Sequence, residues 1–408
     1  MSNAAPKSVA LWVLRRLRQA GFQALLAGGC VRDMLLHRRS SDYDIATDAT
    51  PQQVRKLFPH VLLVGAKFGV AMVVHNRQKV EVTTFRTDLQ YTDGRRPIGV
   101  KFSSPREDAL RRDFTINGMF YDVAAGKVID YVGGKADLRR GVIRTIGDPH
   151  QRFAEDYLRM IRAARFAVRL DFRIALATAK TIAQYAPNIT GISGERIFDE
   201  LSKMLSRNSA ASALILLEKL QLARAILPEI FSSPNLWPAA IQRVRALQHQ
   251  ADTLLAFAAM LAQLPAATIP AIMRRWGASN YFRYSLCWIA EHLDDWHQAA
   301  ELPLCDFKRL LANENFPRLQ RLWRHEEKSQ SHSRRQSMRI AARIRKIDPG
   351  KIAPPPLVDG GDLKAMGMTQ DPAMGKILRQ LYDAQLNEEL LTCPAALEAA
   401  RKLVDLAR

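Results

Sequence analysis

Apolar and polar positions follow two different rhythms along this chain. In the first part, apolar residues come in short runs separated by turn residues. Gln23 to Ala27 is one such run, ended by Gly28-Gly29; it predicts a short strand, a glycine turn and a helix starting near Val31. Val61 to Val64 and Val70 to Val74 are further strand candidates. From Lys79 to Phe85 the pattern alternates, with Glu81, Thr83 and Phe85 on one face and Val80, Val82 and Thr84 on the other, as a strand with two unlike faces requires. Helical signals lie between the strands. Thr50-Pro51 reads as an N-cap followed by proline in the first turn, and the helix it opens stops by Pro59. Small strands mixed with helices predict an α/β or α+β head over residues 22–125, taken here as α+β with a small mixed sheet. Asp148-Pro149 opens another helix, and from Ser209 to about Trp323 the apolar residues recur at helical spacing. Everything after the head is therefore expected to be all-α.

Composition narrows the class. The chain has 408 residues, 48% hydrophobic and 25% charged, enough for two to four domains of an ordinary soluble protein. No apolar run is long enough to span a bilayer. The N-terminal stretch through Gly21 reads as an amphipathic helix rather than a signal peptide. Cys30, Cys287, Cys305 and Cys393 are scattered, which argues against a disulfide framework or a zinc site and for a reducing, cytoplasmic setting. Lys and Arg number 60 against 40 acidic residues, a net charge of +20, and such an excess favours a polyanionic partner.

The candidate chemistry starts at the glycines. Gly28 and Gly29 let a backbone approach another group closely, the following helix turns its free N–H groups toward them, and Arg32 adds a fixed positive charge. Across a loop, Asp42 and Asp44 flank Tyr43. Two residues apart on a strand they face the same side, and two carboxylates held together want a hard cation such as Mg²⁺, which bridges carboxylates and phosphates. Each half alone also fits a plain turn or a solvated loop; together they form a phosphate cradle beside a metal clamp. Glu81 is either a third carboxylate beside that pair or a solvent-facing strand residue. Arg111-Arg112-Asp113-Phe114-Thr115-Ile116-Asn117 supplies a donor for phosphate or ribose oxygens and an acceptor for a ribose hydroxyl. Further on, Asp156 and Arg159 stand one helical turn apart, and Arg159, Arg162 and Arg165 repeat that spacing. An Asp beside an Arg is either an exposed ion pair or an edge that mimics a base. Cytosine and adenine offer an amino donor beside a ring-nitrogen acceptor, suited to Asp plus Arg; guanine and uracil have the opposite polarity. Arg335, Arg339 and Arg343 recur every fourth residue, a stripe that suits RNA phosphates or a solvated helix face.

Taken together, these segments resemble the class II nucleotidyltransferases, the family of CCA-adding enzymes and bacterial poly(A) polymerases. GGCVRDMLL followed by DYDIAT resembles the family's GGxVRDxLL…DxDxxT motif, and the RRDFTIN run matches without departure. Asp130 to Gly134 resembles its DxxGG turn, Glu155 to Arg159 its EDxxR motif, and Glu195 to Leu201 its ERIxxEL helix. EVTTFR with Tyr91, Asp93-Gly94-Arg95-Arg96-Pro97 has the form typical of its CCA-adding members, in a loop from Arg86 to Val100. The resemblance implies a polymerase-beta-like nucleotidyltransferase head over 1–148, a helical neck with the base-selecting motif over 149–208, a helical body over 209–323 and a basic helical tail over 324–408. It implies Mg²⁺ on the catalytic Asp42 and Asp44, with Glu81 as the candidate third catalytic carboxylate that the strand pattern leaves open, nucleotide held by Gly28, Gly29, Arg32, Arg112, Asp113, Asn117, Arg162 and Arg165, and base choice by Asp156 and Arg159. The partners it implies are tRNA, CTP and ATP, with CCA added to the tRNA 3′ end and pyrophosphate released. Narrower chemistry on the same fold, A-addition or poly(A) synthesis, is the first alternative; a non-catalytic RNA-binding protein is the second.

Overall fold

The structure, a computed structural model, describes residues 5–63, 65–88, 99–249 and 252–407. Most of the expected Arg86–Val100 loop, including its Tyr91-to-Pro97 signature, lies outside the described residues, as does Val64. The chain divides into two compact units, Met1–Trp237 with Arg275–Gly277, and Pro238–Arg274 with Ala278–Arg408.

The first unit opens with α1 (Pro6–Gln19), which buries Val9, Val13, Leu14 and Leu17 and leaves its arginines outward. Then come β1 (Ala24–Ala27), α2 (Gly29–Leu35), β2 (Asp44–Thr47), α3 (Pro51–Leu57), β3 (Val61–Leu62), β4 (Val70–His75) and β5 (Gln78–Thr84). A short ladder of β6 (Arg86–Asp88) and β7 (Val100–Phe102) follows, then α4 (Pro105–Leu110), β8 (Met119–Asp122) and β9 (Lys127–Asp130). Thr50 accepts from the Gln53 N–H in a full capping box, so α3 starts where the Thr-Pro signal sets it. Seven strands form one mixed sheet in the order β3-β4-β5-β2-β1-β8-β9. Only β2 and β5 run parallel; the other neighbours are antiparallel. One face packs Leu25, Ala27, Ala46 and Phe120 with Phe85 and Ala109. On the other face Leu26, Ile45, Val80 and Val82 are also buried, and α1 packs against β1, β2 and β5.

Helices take over after the sheet. Asp130 accepts the N–H groups of Val132, Gly134 and Lys135, a turn that launches α5 (Gly134–Arg140). A two-residue strand β10 (Val142–Ile143) leads to α6 (Pro149–Glu155) and α7 (Leu158–Leu170), and β11 (Arg173–Ile174) pairs back onto β10 before α8 (Leu176–Tyr185) and α9 (Gly194–Leu205). α7 packs against α9. The approach between α9 and Arg275–Gly277 is so close that a Cβ on Gly194 would lie 1.8 Å from the Arg275 carbonyl oxygen. Among the described residues the second unit is wholly helical, and its C-terminal part packs its own core around Leu363, Met374, Leu381 and Ala400. No described helix is long and apolar enough to cross a membrane.

Candidate active site

Strand register decides where the site lies. Ala27, the last residue of β1, pairs with Asp44, the first of β2, and Asp44 pairs in turn with Glu81 of β5. The glycine turn and two carboxylates therefore meet at one end of the sheet. Gly28 takes φ +71°, and a Cβ there would sit 3.0 Å from Arg112 Nη1, so only glycine fits both the backbone and the space. α2 starts at Gly29, earlier than near Val31, because the Gly28 carbonyl already accepts the Arg32 N–H at 3.2 Å.

Asp42 departs from the expected strand geometry. β2 begins only at Asp44, since the β1 partner strand ends at Ala27. Asp42 belongs to the loop ahead of it, where the Ser41 hydroxyl donates to its carboxylate at 2.9 Å and the Ser40 hydroxyl to its carbonyl at 2.8 Å. The loop nonetheless turns Asp42 into the same cavity as Asp44. Burial, with Glu81 and Asp42 nearby, pushes the Asp44 carboxyl up to about 6 against the opposing charge of Arg112. Glu81 itself is exposed and accepts a hydrogen bond from the Thr83 hydroxyl at 3.3 Å.

One cavity of about 1250 Å³ is lined by Gly28, Gly29, Arg32, Asp42, Asp44, Glu81, Arg112, Asp113, Asn117, Asp156, Arg159, Arg162 and Arg165. Each arginine is oriented by an acid. Arg32 donates to Asp33 at 2.6 and 2.8 Å and to Asn117 Oδ1 at 2.8 Å. Arg111 and Arg112 share Asp108, which is fully buried. Arg162 grips Asp113 at 2.7 and 3.1 Å, and Arg165 meets Glu200 at 2.5 Å. Burial alone would raise the Asp113 carboxyl, but the Arg162 charge and hydrogen bonds, with Asn117 and the Phe114 N–H, hold it at about 2.

The expected helical pair of Asp156 and Arg159 is not formed. The chain breaks between α6 and α7, with Asp156 in an extended conformation (φ −158°, ψ 104°) and its carboxylate accepting the Leu158 N–H at 3.1 Å. An aspartate satisfies a free N–H at a helix start better than it fits a helix interior. It also accepts from Arg196 of α9, at 2.8 and 3.3 Å. Arg159 turns instead to Glu155 at 2.5 Å and to the Arg152 carbonyl at 2.7 Å. Both side chains still line the cavity, supported by separate partners.

Comparison with known proteins agrees with this geometry. Residues 24–144 match the model of the Poly A polymerase head domain, and residues 171–233 that of the probable RNA and SrmB-binding site of polymerase A. A CCA-adding enzyme of Bacillus licheniformis is 46% identical over 206 residues, 50% of this chain and 52% of the relative. Poly(A) polymerase I of Salmonella typhi is 42% identical over 232 residues, 54% of this chain and 50% of the relative. The chain thus spans about half the length of the curated relatives it matches. The crystal structure of a Bacillus stearothermophilus CCA-adding enzyme in complex with CTP aligns with 98% of each chain, at 30% identity and a TM-score of 0.77. This chain belongs to the CCA-adding enzyme and poly(A) polymerase family.

Of the residues that support the cavity side chains, Asp108 and Arg152 lie outside the motifs, while Glu155 and Arg196 lie within them without a role assigned from sequence. Asp108, Glu155, Arg152 and Arg196 touch the motif residues from behind; Arg152 donates to the main-chain carbonyls of Arg111 and Arg112 as well as to Glu155. Only the excess of paired charges in these segments hints at them. The basic stripe of the second unit is split between exposed and inward-turned arginines. Arg335 and Arg339 are exposed, Arg339 meeting Glu301 at 3.0 Å. Arg343 is used internally, donating to the carbonyls of Ala299, Ala300 and Leu302 and lying over the Phe307 ring at 4.3 Å. At about 100° per residue, a four-residue spacing drifts by about 40° each step, which rotates the third arginine toward the packed side.

Proposed function

We propose that this chain adds CCA to the 3′ end of tRNA without a nucleic-acid template, using CTP and ATP and releasing pyrophosphate. One observation carries the reading: a single cavity is lined together by the carboxylates of Asp42, Asp44 and Glu81, by several arginines, and by Asp156 and Arg159. A nucleoside triphosphate beside a metal ion has complementary parts. Arg32, Arg162 and Arg165 suit the phosphates, Arg112 and Asp113 the ribose, and Asp156 with Arg159 the base.

The carboxylates fit a hard divalent cation, since burial, with Glu81 and Asp42 nearby, raises the Asp44 carboxyl to about 6, a cost of ionisation that a bound cation would relieve. We assign Mg²⁺ to Asp42 and Asp44. Asp42 and Asp44 would hold it, their oxygen donors suiting a hard cation. When bound, the cation neutralises phosphate charge and lowers the pKa of the attacking tRNA hydroxyl. The protein's own part is orientation: Arg32, Arg112, Arg162 and Arg165 are each fixed by a buried or half-buried acid, so their remaining N–H groups are in place before the nucleotide enters. We assign catalysis and nucleotide choice to 1–148 and 149–208, and tRNA contact to 209–323 and 324–408, with Arg335 and Arg339 on the basic face.

Poly(A) synthesis or A-addition is the second reading, favoured by the 42% identity to Poly(A) polymerase I of Salmonella typhi. The Asp93-to-Pro97 sequence favours CCA addition. Incubating tRNA lacking CCA, tRNA ending in C and tRNA ending in CC with each NTP separately tests the choice. CTP used twice and ATP once supports the proposal; ATP added to every acceptor, or no addition at all, overturns it.

A further inference from the structure

Phe166 stands where three cavity arginines converge. Its ring, almost fully buried in α7, has the guanidinium carbons of Arg165, Arg32 and Arg162 over it at 4.2, 5.3 and 5.4 Å from the centroid. Arg162 lies one helical turn before it, Arg165 directly precedes it, and Arg32 comes from α2 in the sheet region. Phe114 braces the ring edge-on, with centroids 5.8 Å apart. Each of the three arginines also has its own acid, Asp33, Asp113 or Glu200.

A guanidinium is planar, with N–H donors around its rim and a weakly hydrated face. A carboxylate occupies part of the rim; an aromatic ring takes the face. With both in place, the guanidinium plane is fixed and the remaining rim donors stay available to an anion. Three guanidiniums held over one ring carry like charges at close range, and the negative quadrupole of the ring offsets part of their repulsion. An aliphatic side chain would fill the space without favouring either the orientation or the charge.

We propose that Phe166 is a positioning residue that holds Arg32, Arg162 and Arg165 as one triphosphate-binding unit across the α2–α7 junction. This rests on the nucleotide reading of the cavity given above. It assigns Phe166 to the phosphates and not to the base, because Asp156 and Arg159 have partners elsewhere, on Arg196 and Glu155.

The test uses the full chain and inorganic tripolyphosphate, measured by calorimetry, alongside CTP and ATP kinetics on tRNA acceptors. Phe166→Leu is expected to weaken tripolyphosphate binding about 10-fold and to raise KM for both nucleotides similarly, with a much smaller change in kcat. Preference for C and A over G and U should stay at the wild-type level. Phe166→Tyr, which keeps the π face, should restore binding to within about threefold. Should Phe166→Leu fail to fold, pentafluorophenylalanine at position 166 keeps the ring shape and reverses its quadrupole; it should lose affinity as Leu does. Wild-type affinity in the Leu or the fluorinated protein overturns the proposal, as does a Tyr variant no better than Leu. A wild-type protein that binds neither tripolyphosphate nor CTP would instead overturn the nucleotide reading itself.

Discussion

Asp44 and Glu81 face each other across the one parallel strand pair of the sheet, β2 and β5. Burial raises the Asp44 carboxyl most, and the like charge directly opposite on the sheet adds to the cost, leaving it near 6 instead of 3.8. Between those values the folded protein binds more protons than the unfolded chain, so stability falls as pH rises through about 6 and then levels off. Asp44→Asn should therefore stabilise the cation-free protein at about pH 8, by up to about 3 kcal/mol at ~1.4 kcal/mol per pH unit, less where solvent reaches the carboxylate. The gain should vanish below about pH 4, where the carboxyl is protonated in both states, while nucleotide addition is lost. Urea unfolding in EDTA at the two pH values checks it; an equal effect at both would show that the ionised Asp44 carries no such cost.

Asp108 is fully buried and shared by Arg111 and Arg112. Removing one partner of a buried ion pair leaves uncompensated charge and costs about 3–5 kcal/mol. Asp108→Ala should lose stability in that range, and the Arg112 side chain, which we assign to the ribose, should lose its anchor and weaken nucleotide binding. Chemical denaturation and KM for CTP, compared with Asp108→Asn, provide the readout. A variant with unchanged stability would show that the pair contributes little.

Arg196 holds both carboxylate oxygens of Asp156. If Asp156 reads the base, Arg196→Ala should loosen its orientation and reduce discrimination against UTP and GTP by about 10-fold, the cost of one poorly satisfied polar edge at ~1–3 kcal/mol. Single-nucleotide incorporation with all four NTPs on tRNA ending in C and in CC measures this. Wild-type selectivity in the variant would confine Arg196 to packing α9 against α7.

The three arginines of the basic stripe should separate. Arg335→Ala and Arg339→Ala should each make the salt dependence of tRNA binding shallower, by about 0.7–0.9 in log–log slope for each phosphate no longer neutralised, with little effect on stability. Arg343→Ala should do the reverse, because three carbonyls and the Phe307 ring are left without their partner; a loss of about 1–3 kcal/mol is expected. A uniform effect of all three on tRNA affinity alone would contradict the assignment.

Much of this was written in local sequence. The apolar run to Ala27, the Gly28-Gly29 stop, the alternation around Glu81 and the Thr50 cap act within a few residues, so strand, turn and helix follow from chain chemistry alone. The motif residues, too, were legible, because each side chain carries its chemistry with it. Long-range pairing was not. Nothing local says that Asp44 meets Ala27 and Glu81, that Asp156 turns to Arg196 some forty residues away, or that Arg32 and Arg165 share the Phe166 ring. The same holds for Arg343, whose spacing matched Arg335 and Arg339 while the rotation of its helix carried it to the packed side. Local sequence determines what each group can do; which groups meet is set by register, helix rotation and burial, and these are decided only when the whole chain packs.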